Sequence, residues 1–360
     1  MARLIDPRIA GAVARRLAGD APLKDSYLME RLVRDLDSAV PRSEELVAET
    51  SGIPSPPPVP WGVIDRGEWA EANITGMSAL LAPLAERLEP RLAQVPAPLR
   101  IAQQGLVSVE MGVLLGYVSR RVLGQYDVLV PDDAEVPRKR SRRRAPPDAA
   151  LYFVGPNMVE TERRWGFVPG EFALWVAVHE VTHRFQFAGV PWLRARFFGL
   201  VRDYLSVTDV DAGSLAKRLA GAASRLATGK VPADERHPAY LLASEEQKSV
   251  LDDLQALMAV VEGHGNFVMD AVGARVIPSF KRMRYIFERR REQVTTLQRI
   301  VNQVLGLEMK LRQYELGQKF CEEVAAREGE QGLAYLWTTP EHLPSLTELK
   351  EPGRWLARVA

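Results

Sequence analysis

The stretch Trp175–Phe187, WVAVHEVTHRFQF, sets two histidines four residues apart with a glutamate directly after the first. On an α-helix, positions four apart share a face, so His179 and His183 can turn ring nitrogens toward one metal ion. Glu180 is rotated about 100° from His179, near such an ion without having to bind it. A carboxylate there can take a proton from a water whose pKa zinc lowers toward ~7. The competing reading is two satisfied core histidines one turn apart. The flanking run FALWVAV is apolar on every side and predicts a buried helix, in which polar residues need strong partners. One zinc ion satisfies two imidazoles at once.

A catalytic zinc needs a third protein ligand and an open position for water. His237 in DERHPAY and His342 in TTPEHLPS sit beside prolines, in contexts that predict surface loops. LMAVVEGHGNFVMD is a better source. Leu254, Met258 and Val261 make an apolar stripe, with Glu262 beside it and Gly263 and Gly265 close by. Helical glycines cost about 1 kcal/mol each relative to alanine, which suits a helix that must approach the histidine helix closely. Glu262 is the expected third ligand and His264 the alternative. Two residues apart, they face nearly opposite ways, so only one is expected to bind. Asn266, one turn beyond Glu262, could orient a ligand histidine, and Asp270 is the next acidic group on that side. A cationic or phenolic donor is also needed for the developing oxyanion. His264, Arg284 and Tyr285 are the candidates.

The elements that must position these groups are mostly helical, which predicts a mainly α protein with a small β-sheet (α+β). SYLMERLVRDLDSAV, EWAEANITGMSALLAPLAERLEPRLA and LVSVEMGVLLGYVSRRVLG have helical periods, the last apolar enough to be buried. SGIPSPPPVP excludes helix, so residues 1–60 read as a helical arm and Pro-rich linker ahead of a domain spanning 61–360. The metal site falls within 150–285 and long C-terminal helices within 279–330, where Leu297, Ile300, Val301, Val304 and Leu311 share a stripe. QYDVLVP and ALYFVGPN read as short strands. The strand Leu151, Tyr152, Phe153, Val154 is the expected edge that takes an extended substrate by strand addition.

Composition narrows the classes of partner. The 360 residues are 46% hydrophobic and 26% charged with a net charge of +1, which predicts a sizeable core and no field for nucleic acid or an anionic membrane. The run Arg138–Arg144 holds six basic residues in seven; without interleaved aromatics it reads as a solvated loop. Cys321 is the only cysteine, which excludes an internal disulfide or a thiolate cluster. No secretory signal or apolar run of membrane-spanning length is read from the sequence, so a cytoplasmic location with no membrane partner is expected.

HEVTHRFQFAGVPWLR, LYFVGPNMVETER, RRVLGQYDVLVP, VVEGHGNFVMDAVG, LRQYELGQKF and LPSLTELKEPGRWLARV together resemble an actinobacterial family of zincin-like zinc-dependent metalloproteases and hydrolases. One branch of that family carries the name of deazaflavin coenzyme biosynthesis. The resemblance runs from Trp61 onward and more weakly through the first fifty residues. It implies a zincin-like metallopeptidase fold, His179, His183 and Glu262 as zinc ligands, and Glu180 as the catalytic acid/base. The expected activity is zinc-dependent hydrolysis, most simply of a peptide or protein. The alternatives are a zinc-containing scaffold or regulatory protein, and an accessory protein of coenzyme biosynthesis. A groove open above Glu180 and lined by Leu151–Val154 would favour the enzyme.

Overall fold

The computed structural model describes residues 4–19, 23, 25–129, 151–206, 240, 243–292 and 307–359. The basic run Arg138–Arg144, His237 and the stripe residues Leu297 to Val304 lie outside them. The described chain is mostly helical with one three-stranded sheet. It divides into two compact units, residues 1–47, 56–184 and 276–280 in the first, and 48–55, 185–275 and 281–360 in the second.

The first unit opens with α1 (Pro7–Ala18) and α2 (Tyr27–Thr50, which leaves the unit after Val47). Asp6 caps α1 by accepting the amide of Arg8 at 2.8 Å, with Pro7 at the first helical position. After β1 (Trp61–Ile64), a capping box of Asp65 and Glu68 starts α3 (Arg66–Leu80), followed by α4 (Ala82–Leu92) and α5 (Ala97–Ser119). α1 packs on α3 and α5. The α1–α5 crossing needs small residues: a Cβ on Gly112 would stand 2.6 Å from the Ala10 carbonyl oxygen, and one on Gly116 2.8 Å from Leu17 Cβ. α5 departs from expectation. Its C-terminal half is buried at these glycines, whereas Leu99, Ile101 and Leu106 in its N-terminal half are exposed. It is also long and apolar enough to cross a membrane by length and composition, which the sequence reading did not anticipate.

β2 (Gly124–Tyr126) and β3 (Leu151–Val154) complete the sheet in the order β1-β3-β2. β1 runs parallel to β3 and β2 antiparallel to it, with Gly124 opposite Phe153 and Tyr126 opposite Leu151. β3 is therefore the central strand. Its four side chains are all buried and its backbone is paired on both sides, so it can neither add a substrate strand nor line an open groove. The expectation of a substrate edge at Leu151–Val154 is corrected accordingly. An uninterrupted apolar run reads the same whether a strand is central or at an edge.

α6 (Gly155–Trp165) follows β3 directly and carries Asn157, buried at the centre of a polar knot. Asn157 donates to the carbonyls of Ser119 (2.7 Å) and Val122 (2.6 Å) and accepts from Arg66 Nε (2.6 Å). This ties down the turn that delivers β2. α7 (Pro169–Gly189) is the histidine helix, and it belongs to the first unit as far as Arg184.

The second unit takes the end of α7, α8 (Leu193–Ser206), α9 (Glu245–Val276, to Arg275), α10 (Phe280–Glu292, from Lys281), α11 (Leu307–Glu328), a 3-10 stretch Glu330–Trp337, α12 (Leu346–Lys350) and α13 (Pro352–Val359). Trp355 of α13 is fully buried, its ring 5.2 Å from Phe320 of α11 and its indole N–H bonded to the His342 carbonyl. α9 and α11 cross almost backbone to backbone at Gly263 and Gly317, where a Cβ on either would fall within about 2 Å of the other helix's backbone. Gly263 is thus explained by α11 and not, as expected, by an approach to the histidine helix.

Candidate metal centre

α7 is as buried as its sequence implied. Phe172, Val176, Val178, Val181 and Phe185 are all under 5% exposed, whereas His179 and His183 are half-buried. The helix repeat places the two imidazoles on one face with ring centroids 4.5 Å apart, and their Nε2 atoms are separated by 3.1 Å. Two nitrogens bound tetrahedrally to one zinc at their usual bond lengths stand roughly 3.3–3.4 Å apart. The pair is therefore spaced to share an ion.

Glu262, on α9 and 7% exposed, supplies the third donor. One ligand atom from each of His179, His183 and Glu262 lies within 4.8 Å of the other two. Two imidazoles and a carboxylate are a donor set suited to zinc, and three protein donors leave the fourth position for water. The partial exposure of both histidines suits an ion that solvent can reach.

The register of these helices is held by a residue that the sequence reading missed. Gln186 is fully buried and its side-chain amide donates to the carbonyl of Val261 at 2.8 Å, directly before Glu262. It also meets His264 Nδ1 at 3.1 Å. Gln186 lies three residues past His183 and seven past His179, on the ligand face, so helical spacing alone could have drawn attention to it.

His264 does not join the clustered donors. It is fully buried, with Nδ1 against Gln186, Nε2 3.2 Å from the Ser51 carbonyl oxygen and its ring edge-on to Trp337 at 4.9 Å. Both nitrogens are engaged in the core, which also removes it as an oxyanion donor. Asn266 is buried at 4% exposed, and its side-chain nitrogen makes no hydrogen bond. Asp270 pairs with Arg284 at 3.0 Å and accepts from Gln318 at 2.9 Å, and burial pushes its carboxyl up to about 6. Tyr285 is 55% exposed on α10 beside Arg289. Neither joins the clustered donors.

Glu180 points to β2. It is 6% exposed, and its Oε2 accepts the backbone N–H of Tyr126 at 3.2 Å. Arg184, the residue after His183, is fully buried. Its guanidinium donates to the carbonyls of Pro56 (3.1 Å) and Pro57 (2.5 Å) and pairs with Glu44, which fastens the proline-rich segment onto α7. Burial pulls the pKa of Arg184 down, while Glu44 and Tyr126 act the other way.

A mainly helical protein with a HExxH helix and a glutamate on a later helix falls among zincin-type metal proteins. Residues 5–356 match the model of the zincin-like metallopeptidase family, and the chain belongs to that family. It is similar to a solved structure from Chloroflexus aurantiacus, described as a candidate hydrolase with a novel fold, with 32% identity, a TM-score of 0.68 and 98% of each chain covered. No curated protein sequence matches it.

Proposed function

We propose that the protein is a zinc-dependent hydrolase and, more narrowly, a metallopeptidase in which His179, His183 and Glu262 hold the metal and Glu180 is the general base. The observation that carries this reading is the meeting of two imidazole nitrogens and a carboxylate within 4.8 Å on buried helices. Membership of the zincin-like metallopeptidase family and the similarity to a candidate hydrolase support the same class.

A bound zinc supplies a water acidified toward neutrality and a positive charge for the substrate carbonyl. The chain's own residues do the rest. His179 and His183 present their nitrogens from one rigid helical face, while Gln186 keeps the carbonyl before Glu262 in register with them. Glu180 accepts the proton given up by the attacking water and passes it to the departing amine, as general base and then general acid. The narrower placement in an actinobacterial branch linked to deazaflavin coenzyme biosynthesis rests on motif resemblance alone.

One observation favours a non-catalytic zinc protein: Glu180 is nearly covered by β2, as a base that never meets substrate would be. Elemental analysis of protein purified without chelators, followed by digestion of a peptide library, separates the readings. The wild type is expected to carry about one zinc and to cleave, Glu262→Ala to lose the metal, and Glu180→Ala to keep it while turnover falls on the order of 10²–10⁴-fold. A zinc-replete wild type that cleaves no peptide in the library would refute the peptidase. No zinc after zinc has been offered would refute the hydrolase altogether.

A further inference from the structure

Resting on Glu180 as the base, we propose that Gly124 and the backbone amide of Tyr126 are its positioning elements, forming a flat backbone seat on β2 in which the carboxylate lies. A Cβ built on Gly124 would stand 2.6 Å from Glu180 Cγ and 2.9 Å from both Cδ and Oε1. The side chain therefore lies along the backbone of residue 124 over its whole outer half. Only glycine leaves that space. Two residues along the strand, the Tyr126 N–H donates to Oε2 at 3.2 Å. The contact at 124 and the donor at 126 thus meet the same carboxylate, one along its length and the other at Oε2.

The seat is itself anchored. Gly124 and Tyr126 pair with Phe153 and Leu151 of the buried central strand. Asn157 fixes the preceding turn through the Ser119 and Val122 carbonyls. On the other side of Gly124, the Gln125 side chain bonds with Asn73 of α3. A carboxylate on a three-bond side chain has several rotamers, and a base must present one of them to the water it deprotonates. The flat glycine and the amide donor select one. A methyl group at residue 124 pushes the carboxylate out of the seat and away from the amide, without touching the metal donors.

The test is a double-mutant cycle of Gly124→Ala and Glu180→Ala on the full zinc-loaded chain. It reads the thermal unfolding midpoint, zinc content, and hydrogen exchange of the peptide that carries Tyr126. Zinc content is expected to stay at the wild-type level in all variants. The midpoint penalty of Gly124→Ala should shrink or vanish in the Glu180→Ala background, because the atoms it collides with are gone. Exchange at Tyr126 should rise about tenfold in either single variant, the equivalent of one ordinary hydrogen bond. On any peptide the wild type cleaves, Gly124→Ala should lower kcat on the order of 10²-fold at unchanged KM, as a displaced base does.

Additive midpoints with unchanged Tyr126 exchange would overturn the proposal. Should Gly124→Ala fail to fold, the double variant decides. Its folding supports the seat, and its failure shows that Gly124 serves something other than Glu180. Full turnover in Glu180→Ala would instead reject Glu180 as base, with the physical coupling in the cycle left intact.

Discussion

Substituting alanine for Gly263 tests whether Glu262 is held by a rigid crossing of α9 and α11. The added Cβ would stand 2.1 Å from the carbonyl carbon of Gly317 and 2.5 Å from the amide nitrogen of Gln318, where ordinary contact begins near 3.4 Å. The helices must part by about 1.3 Å, the difference between 3.4 and 2.1 Å, and both obstacles are backbone, which no rotamer change can clear. Overpacking a close-packed interface costs typically 1–3 kcal/mol and more when backbone must move, so about 3 kcal/mol is a reasonable figure. Alanine returns about 1 kcal/mol as a better helix former. The net expectation is a loss of about 2 kcal/mol, with weaker zinc binding because Glu262 is the preceding residue. Gly105 on α5 is the control, since a Cβ there meets nothing within 4 Å. Gly105→Ala should therefore stabilise by up to about 1 kcal/mol. Urea unfolding midpoints, compared at equal slope, give the sign of each change. If both substitutions stabilised, the crossing would be soft and the argument for a preset Glu262 would fall.

Other perturbations have equally definite signs. Arg184→Ala strands Glu44 and the Pro56 and Pro57 carbonyls beside a buried cavity and should destabilise by about 3–5 kcal/mol in urea titrations; a change under 1 kcal/mol would show that water replaces the guanidinium freely. Glu180→Gln should keep zinc at the wild-type level in elemental analysis, because Glu180 is not among the clustered donors, while turnover falls on the order of 10²-fold or more. Asp270, raised by burial to about 6, binds a proton in the folded protein that the unfolded chain gives up near pH 4. That stabilisation is complete below about pH 4 and disappears as pH rises through about 6, a difference of roughly 3 kcal/mol. Asp270→Asn should flatten this slope in unfolding midpoints measured from pH 4 to 8, and an unchanged slope would reject the assignment.

How much of the site was legible follows from the range of the physics involved. The pairing of His179 with His183 was readable because helical spacing is a local property, and the apolar run around them forces burial whatever the rest of the chain does. Glu262 was reached on a partly mistaken ground. The glycine beside it does mark a close helix approach, but at Gly317 of α11, and no local pattern names the partner of a close approach.

The edge position expected of β3 fails for the same reason. LYFV is apolar throughout, which tells that a strand is buried but not that it is central, and sheet order depends on residues far apart in the chain. Correcting that order moves the strand beside Glu180 from β3 to β2 and explains Gly124. In the sequence this glycine looks like turn punctuation, yet in the fold it is the space that the Glu180 side chain occupies. Gln186 shows the opposite case, a residue at legible spacing from both histidines whose role appears only once Val261 is beside it. The ligand motif is local and can be read alone; the residues that aim it come from distant segments, and substitutions at Gly124, Gln186 and Gly263 should therefore impair the site while leaving the motif intact.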